Sequence, residues 1–307
     1  MNFIFLSRDW TFSLFFARID DMSIKKRRIT LLICVIIFLI AAPVAAMYSS
    51  GYRFSPISGF YKTGGIYVSS PLSGSRIFVN NKEEAKTGLL EEGVLLQNLK
   101  PGKYSVLAAK EGYWPWQKKL FVREQAVTEA RALLVTKEPV GKLLFSAEEI
   151  TQGKIWQNQQ YSKIYKDLLT LEKISMEKST TTEKISSNGK QTLSINEERT
   201  TLSARWNDYS QNSPYFFCSD DDEKDCPKET IVLQSKFPVK GADFYPGRDD
   251  AMIISVESGV YAIEIDGRGG RMLQPVYKGR NPVSIMYSGD PLIYILDENS
   301  LFQLSLD

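Results

Sequence analysis

An apolar run near the start of the chain constrains everything that follows it. Residues 29–48, ITLLICVIIFLIAAPVAAMY, hold no charged side chain and a single proline, Pro43. As a helix, about 20 such residues are long enough to cross the hydrocarbon core of a bilayer. Lys25, Lys26, Arg27 and Arg28 stand immediately before the run. A cationic block beside a spanning helix stays in the cytoplasm, because translocating it is unfavourable and the anionic inner leaflet attracts it. The expected layout is a cytoplasmic N-terminus over residues 1–28, one transmembrane helix over 29–48, and the bulk of the chain outside the cell membrane. The lipid bilayer is the first partner this implies.

The start of the chain leaves two questions open. Residues 1–21 are aromatic-rich but broken by Arg8, Asp9, Arg18 and Asp20. They suit a short amphipathic helix on the inner membrane face, or they precede a true start at Met22, from which a compact basic region runs straight into the apolar run. Read from Met22, Val44 and Ala46 are small residues at the spacing a signal peptidase accepts, which gives cleavage after Ala46 as the alternative to an uncleaved anchor. The length of the run favours the anchor, since a signal core is shorter than a spanning helix.

Charge and residue usage exclude several function classes. The net charge is +2, and the KKRR block holds much of the basic excess. The remainder is nearly neutral and lacks the basic surface that nucleic-acid binding requires. Histidine is absent, which removes the commonest general base and the commonest metal ligand. Of three cysteines, Cys34 lies inside the apolar run, where it acts as a small hydrophobe. Cys218 and Cys226 flank a short acidic turn on the exported side, where disulfides persist, and are expected to pair.

Residues 49–62, SSGYRFSPISGFYK, form a linker whose Tyr52 and Phe54, with Tyr48, suit the membrane–water interface. After it the pattern changes to period two. GIYVSS, RIFVN, VLLQNL, KYSVLAAK, QKKLFVRE and TEARALLV read as short strands separated by Gly, Pro and Asn turns. No helical period intervenes, so residues 63–137 are expected to form a small antiparallel β-sandwich.

Ser70-Pro71-Leu72-Ser73-Gly74-Ser75-Arg76-Ile77-Phe78-Val79, then Leu99-Lys100-Pro101-Gly102-Lys103-Tyr104, Lys110-Glu111-Gly112-Tyr113 and Lys119-Leu120-Phe121-Val122, follow in an order and spacing that resemble a PEGA domain. The turn that names that family departs here, because Pro71-Leu72-Ser73-Gly74-Ser75 carries one extra residue. The resemblance implies an extracytoplasmic β-sandwich of the bacterial envelope, in a family to which no enzymatic activity is assigned. Within it Tyr113, Trp114 and Trp116 form the densest aromatic cluster. They are either a stacking platform for sugar or peptide or, with Trp114 and Trp116 pointing the same way along a strand, core or domain-packing residues.

Residues 141–307 are mostly β. AMIISVESGVYAIEID and PLIYILDENSLFQLSLD repeat a strand–turn–strand unit about 41 residues apart, a period typical of propeller blades. GADFYPG and NPVSIMYSGD are the matching first strands, and SPYFFC with ETIVLQS is an earlier copy. Residues 170–191, rich in Ser, Thr, Lys and Glu, read as a strand pair with long polar turns or as a mobile insertion. The expected fold class is therefore mainly β: an N-terminal transmembrane helix, a PEGA-like sandwich, then a propeller-like repeat domain.

No motif assigns chemistry. Asp220, Asp221, Asp222, Glu223 and Asp225 lack the glycine and distal glutamate of a calcium loop. Asp266-Gly267-Arg268-Gly269-Gly270-Arg271 follows no βαβ pattern and reads as a turn between blades, not a dinucleotide site. The expectation is a non-enzymatic single-pass envelope protein, without metal or cofactor, that meets envelope protein or glycan. The alternative is an envelope enzyme or accessory subunit acting on glycan or peptide.

Overall fold

The computed structural model of the chain describes residues 24–57, 59–88, 92–177, 181–220, 226–287 and 289–306. Residues 1–21, the start at Met22, and Asp221, Asp222, Glu223 and Asp225 of the acidic turn lie outside the described residues. The chain divides into two compact units, residues 1–63 and 64–307.

The first unit holds α1 (Ile24–Ser49) and a hairpin of β1 (Tyr52–Ser55) and β2 (Gly59–Lys62). Helix α1 is long and apolar enough to cross a membrane, and none of its residues is buried by the protein. Lys25, Lys26, Arg27 and Arg28 occupy its exposed first turns. After them the apolar run continues without a charged residue, with Pro43 tolerated inside the helix.

The second unit opens with seven strands: β3 (Gly64–Ser69), β4 (Arg76–Val79), β5 (Lys82–Lys86), β6 (Gly93–Leu99), β7 (Gly102–Ala109), β8 (Trp116–Val122) and β9 (Val127–Arg131). They form a three-stranded sheet, β6-β3-β9, and a four-stranded sheet, β5-β4-β7-β8. The strands expected from alternation are all present. The polar segment before β6 adds β5, and the β3–β9 pair is parallel rather than antiparallel. Inward positions of both sheets, Ile66, Val68, Ile77, Val106, Leu120 and Val122, share one core.

Three further four-stranded sheets follow. β10 (Val140–Phe145) leads into α2 (Ala147–Thr151), a 3-10 turn (Lys154–Gln157) and α3 (Gln159–Met176). β11 (Thr182–Ile185), β12 (Gln191–Ile195), β13 (Thr201–Trp206) and β14 (Glu229–Gln234) form an antiparallel meander. β15 (Gly241–Phe244), β16 (Ala251–Val256), β17 (Gly259–Glu264) and β18 (Leu273–Lys278) form the second. β19 (Val283–Met286), β20 (Ile293–Asp297) and β21 (Ser300–Ser305) form the third, completed by β10, which pairs Val140 with Ser305.

Two expectations change here. SPYFFC is not a strand: Tyr215–Phe217 is a 3-10 turn that drives Phe216 and Phe217 into the core against Trp206. The hairpin equivalent to the repeats is β12–β13. Residues 170–176 are the end of α3, not part of a strand pair, while 182–185 and 191–195 are indeed paired strands. Helix α3 starts at Asn158, whose Oδ1 accepts the Tyr161 N–H at 3.1 Å, and buries Ile164, Tyr165 and Leu168 at helical spacing.

The boundary expected between residues 137 and 141 falls inside one unit. The sandwich core continues without interruption into Ala251, Ile253, Val260, Ala262, Ile293 and Ile295. Strand β16 is buried on both faces, sending Ala251 and Ile253 to this core and Met252 and Ile254 to a second one. Strand β20 does the same, with Tyr294 and Leu296 packed toward α3. Burial on both faces explains why these strands read as continuous apolar runs.

Candidate functional site

Strand β8 carries the junction between the sandwich and the later sheets. Its alternation turns Trp116, Lys118, Leu120 and Val122 inward and Gln117, Lys119 and Phe121 outward. An ammonium in an inward row loses its hydration and must find fixed replacements. Lys118 Nζ lies 3.1 Å from Glu264 Oε2 and 3.4 Å from Asp266 Oδ2, and it donates to the Asp266 carbonyl at 2.7 Å. Trp116 Nε1 donates to Glu264 Oε1, and the Met272 N–H donates to Oε2 at 3.2 Å. Burial, the largest influence, raises the Glu264 carboxyl above its ordinary range even beside Lys118.

Two arginine forks extend the network. Arg268 clamps Asp266 at 3.0 and 2.9 Å and donates to the Glu129 carbonyl at 2.6 Å. Arg248 clamps Asp250 at 2.9 and 2.6 Å and donates to the Ala132 carbonyl at 2.8 Å. Gln274 spans the same junction, accepting the Val135 N–H at 2.9 Å and donating to the Leu133 carbonyl at 2.8 Å. These charges are satisfied inside the fold, so the network fixes the two halves in register. The glycine-rich segment expected between repeats lies within one sheet, joining β17 to β18. Gly269 there has φ +63°, and a Cβ on it would stand 2.3 Å from the Lys119 carbonyl oxygen, so only glycine lets the turn lie against β8.

An open cavity of about 700 Å³ lies among the turns of the later sheets. Three equivalent turns converge on it: β11–β12 with Ser186 and Asn188, β15–β16 with Tyr245 and Asp249, and β19–β20 with Tyr287 and Asp290. Each of these turns joins the first two strands of its meander, so the repeat that builds the sheets also builds the opening. Two of its cations are paired. Lys184 Nζ is 2.9 Å from Asp243 Oδ2, and Arg131 Nη1 is 3.5 Å from Asp250 Oδ1. Burial raises the Asp243 carboxyl, with the Lys184 hydrogen bond opposing it. Tyr287 donates to Asp167 Oδ2 at 2.8 Å and Tyr294 to Asp290 Oδ2 at 3.1 Å. Burial and then the Asp290 carboxylate push the Tyr294 hydroxyl up to about 12.

The aromatic cluster singled out in the sequence does not form one platform. Trp116 is fully buried and belongs to the junction. Trp114 packs against the same core, with Lys137 Nζ 5.5 Å from its ring centroid; Tyr113 is half-buried under Lys110 Nζ at 5.2 Å. Cys218 and Cys226 are joined as a disulfide, with Cα atoms 4.5 Å apart. Asp220, the described member of the acidic turn, accepts the Gly269 N–H through Oδ2 at 3.3 Å. Among the described residues no group of three or more His, Cys, Asp or Glu is placed to hold a metal ion.

The sequence reading missed the junction residues Lys118, Glu264 and Asp266, and missed Arg199. The signal for Lys118 was its inward phase in an alternating strand, between Trp116 and Leu120. Arg199 has no comparable local signal: it is buried in a turn, donating to the Val239 and Lys240 carbonyls at 2.9 and 2.7 Å.

The chain matches no known family and no curated protein. Among solved structures, it aligns with a Bacteroides fragilis protein of unknown function, provisionally described as membrane-associated, at 10% identity and a TM-score of 0.20. The alignment covers 79% of this chain and 94% of the other, and at that degree of superposition it carries no argument about fold or function.

Proposed function

We propose that this is a single-pass protein of the cell envelope, cytoplasmic at its N-terminus, whose β unit meets protein or glycan partners outside the membrane without catalysing a reaction. The observation that carries this reading is α1: 26 residues, apolar, unburied by the protein and led by four cations. Such a helix in water exposes a continuous hydrophobic surface, and a bilayer is the solvent that removes it. The cation block sets the direction. Residues 63–137 are read as PEGA-like, supported by the motifs at 70–79, 99–104 and 119–122 leading into or falling on β4, β7 and β8. Residues 141–307 are read as propeller-like, supported by three four-stranded meanders, the last completed by the early strand β10.

The partner surface in this reading is the recess where the three turns meet. The absence of histidine from the chain and the internal pairing of the buried charges favour binding over catalysis. Protease added to the outside of intact cells tests the topology: the β unit is digested while α1 stays with the membrane. Digestion only in inverted vesicles overturns the orientation. Co-sedimentation of the full chain with purified cell-wall glycan tests the surface, and binding that Tyr245→Ala and Tyr287→Ala leave unchanged removes the recess from the reading.

A further inference from the structure

We propose that the β1–β2 hairpin is a second membrane contact, which dips an apolar edge into the lipid interface on the side where α1 emerges. The proposal rests on the reading of α1 as a membrane anchor. The hairpin begins at Tyr52, three residues after the helix ends, and the two are fastened together. Arg53 donates to the Tyr48 carbonyl at 2.8 Å, and its guanidinium lies 3.6 Å from the centre of the Tyr48 ring. The Thr63 N–H donates to the Gly51 carbonyl at 2.9 Å and closes the base.

The register decides which side chains the hairpin offers. Phe54 pairs with Phe60 and Tyr52 with Lys62, so these four share one face, while Arg53 and Tyr61 lie on the other, toward Tyr48. The Phe54 and Phe60 rings meet at a tilt, their centres 5.1 Å apart, but remain 65% and 66% exposed, and Ile57 in the turn is 98% exposed. A four-residue strand gains little from leaving three large apolar groups in water. Lys62, whose Nζ sits 5.2 Å from the Tyr52 ring centre, places a cation at the base of the same face. Apolar tip, aromatic middle and basic root is the order that matches acyl chain, carbonyl layer and phosphate across the lipid interface. Lipid is the occupant because the hairpin continues directly from the helix that the bilayer covers.

The test uses the full chain reconstituted in vesicles of phosphatidylethanolamine and phosphatidylglycerol. A Cys34→Ser background, with the Cys218–Cys226 disulfide kept, carries Ile57→Cys or the control Ser187→Cys, each labelled with an environment-sensitive dye. The Ile57 label is expected to emit to the blue of the Ser187 label and to be quenched several-fold more by lipids with shallow doxyl groups than by aqueous iodide. Adding Phe54→Ser and Phe60→Ser is expected to abolish that lipid quenching while the chain still floats with vesicles. A chain that floats but whose Ile57 label is quenched by iodide as readily as the Ser187 label overturns the hairpin contact alone. Shielding from iodide without lipid quenching assigns the face to protein, a second copy included, and also overturns it. Failure to float removes the anchor reading and the hairpin contact with it.

Discussion

Lys118 and Glu264, separated by 146 positions in the chain, form a salt bridge of 3.1 Å from which water is all but excluded. Lys118 sits in the inward row of the sandwich strand β8, and Glu264 ends β17 in the second meander. The pair therefore joins two regions whose sequences look like separate modules, at the place where their cores merge. Removing one member leaves a buried charge without its partner, which is far more damaging than replacing both by apolar groups.

Lys118→Met is expected to destabilise the second unit by about 3–5 kcal/mol, while Lys118→Met with Glu264→Leu recovers much of that loss. Chemical unfolding of the full chain in detergent measures both. A double variant as unstable as the sum of the two single ones would mean that the charges act independently.

The same pair predicts a pH dependence. The folded Glu264 carboxyl lies above its ordinary value of 4.5 because of burial. A group raised on folding contributes stability below its unfolded pKa and loses it as pH rises through the folded one. Without Lys118 the carboxyl is raised further, so the deficit of Lys118→Met should grow with rising pH and narrow in acid. Thermal midpoints of the two proteins across a pH series check this; a gap that widens in acid contradicts the assignment.

Arg199 holds the turn between β12 and β13 against the entry to β15. Arg199→Met leaves the Val239 and Lys240 carbonyls without these donors and is expected to destabilise by about 2–4 kcal/mol. Arg199→Lys should recover only part of this, since one ammonium does not reproduce the spread of a guanidinium over two carbonyls. Equal stability of Lys and Arg at this site would count against that geometry.

The Cys218–Cys226 bridge closes a short loop with a sequence separation of 8. Loop-closure entropy then gives it about 2.5 kcal/mol, and Cys218→Ser with Cys226→Ser should lower unfolding free energy by roughly that amount. Reducing the wild type before unfolding provides the same measurement without substitution. No change in either case would show that the unfolded chain gains nothing from the cut.

Trp116→Ala is expected to remove about 3–5 kcal/mol, and Trp114→Ala less, because only Trp116 is fully buried and hydrogen-bonded to Glu264. The sequence placed both on one side of a strand and left platform and core as alternatives. Their difference in burial comes from where the segment before β8 bends over the core, and alternation alone has no term for that.

What the sequence determined by itself is whatever depends on neighbours along the chain. The apolar run dictates α1, since its length and composition leave few other structures for it. Period-two alternation dictates the sandwich strands, apolar runs each followed by a turn and a second strand mark the β16–β17 and β20–β21 hairpins, and the spacing of Cys218 and Cys226 permits their bridge. Tertiary structure alone decided which strands and charges meet at long range. It brought β10 onto β21, merged the sandwich core with the later sheets, and set Lys118 against Glu264. The physical reason is that local patterning fixes which face of an element is apolar, while the choice of partner for that face depends on packing and buried polar contacts summed over the whole fold. Helix α3 belongs to the second half: residues 170–176 read in the sequence as part of a polar strand pair or an insertion, yet they end a helix whose Ile164, Tyr165 and Leu168 share a core with Val283, Tyr294 and Leu296 of β19 and β20.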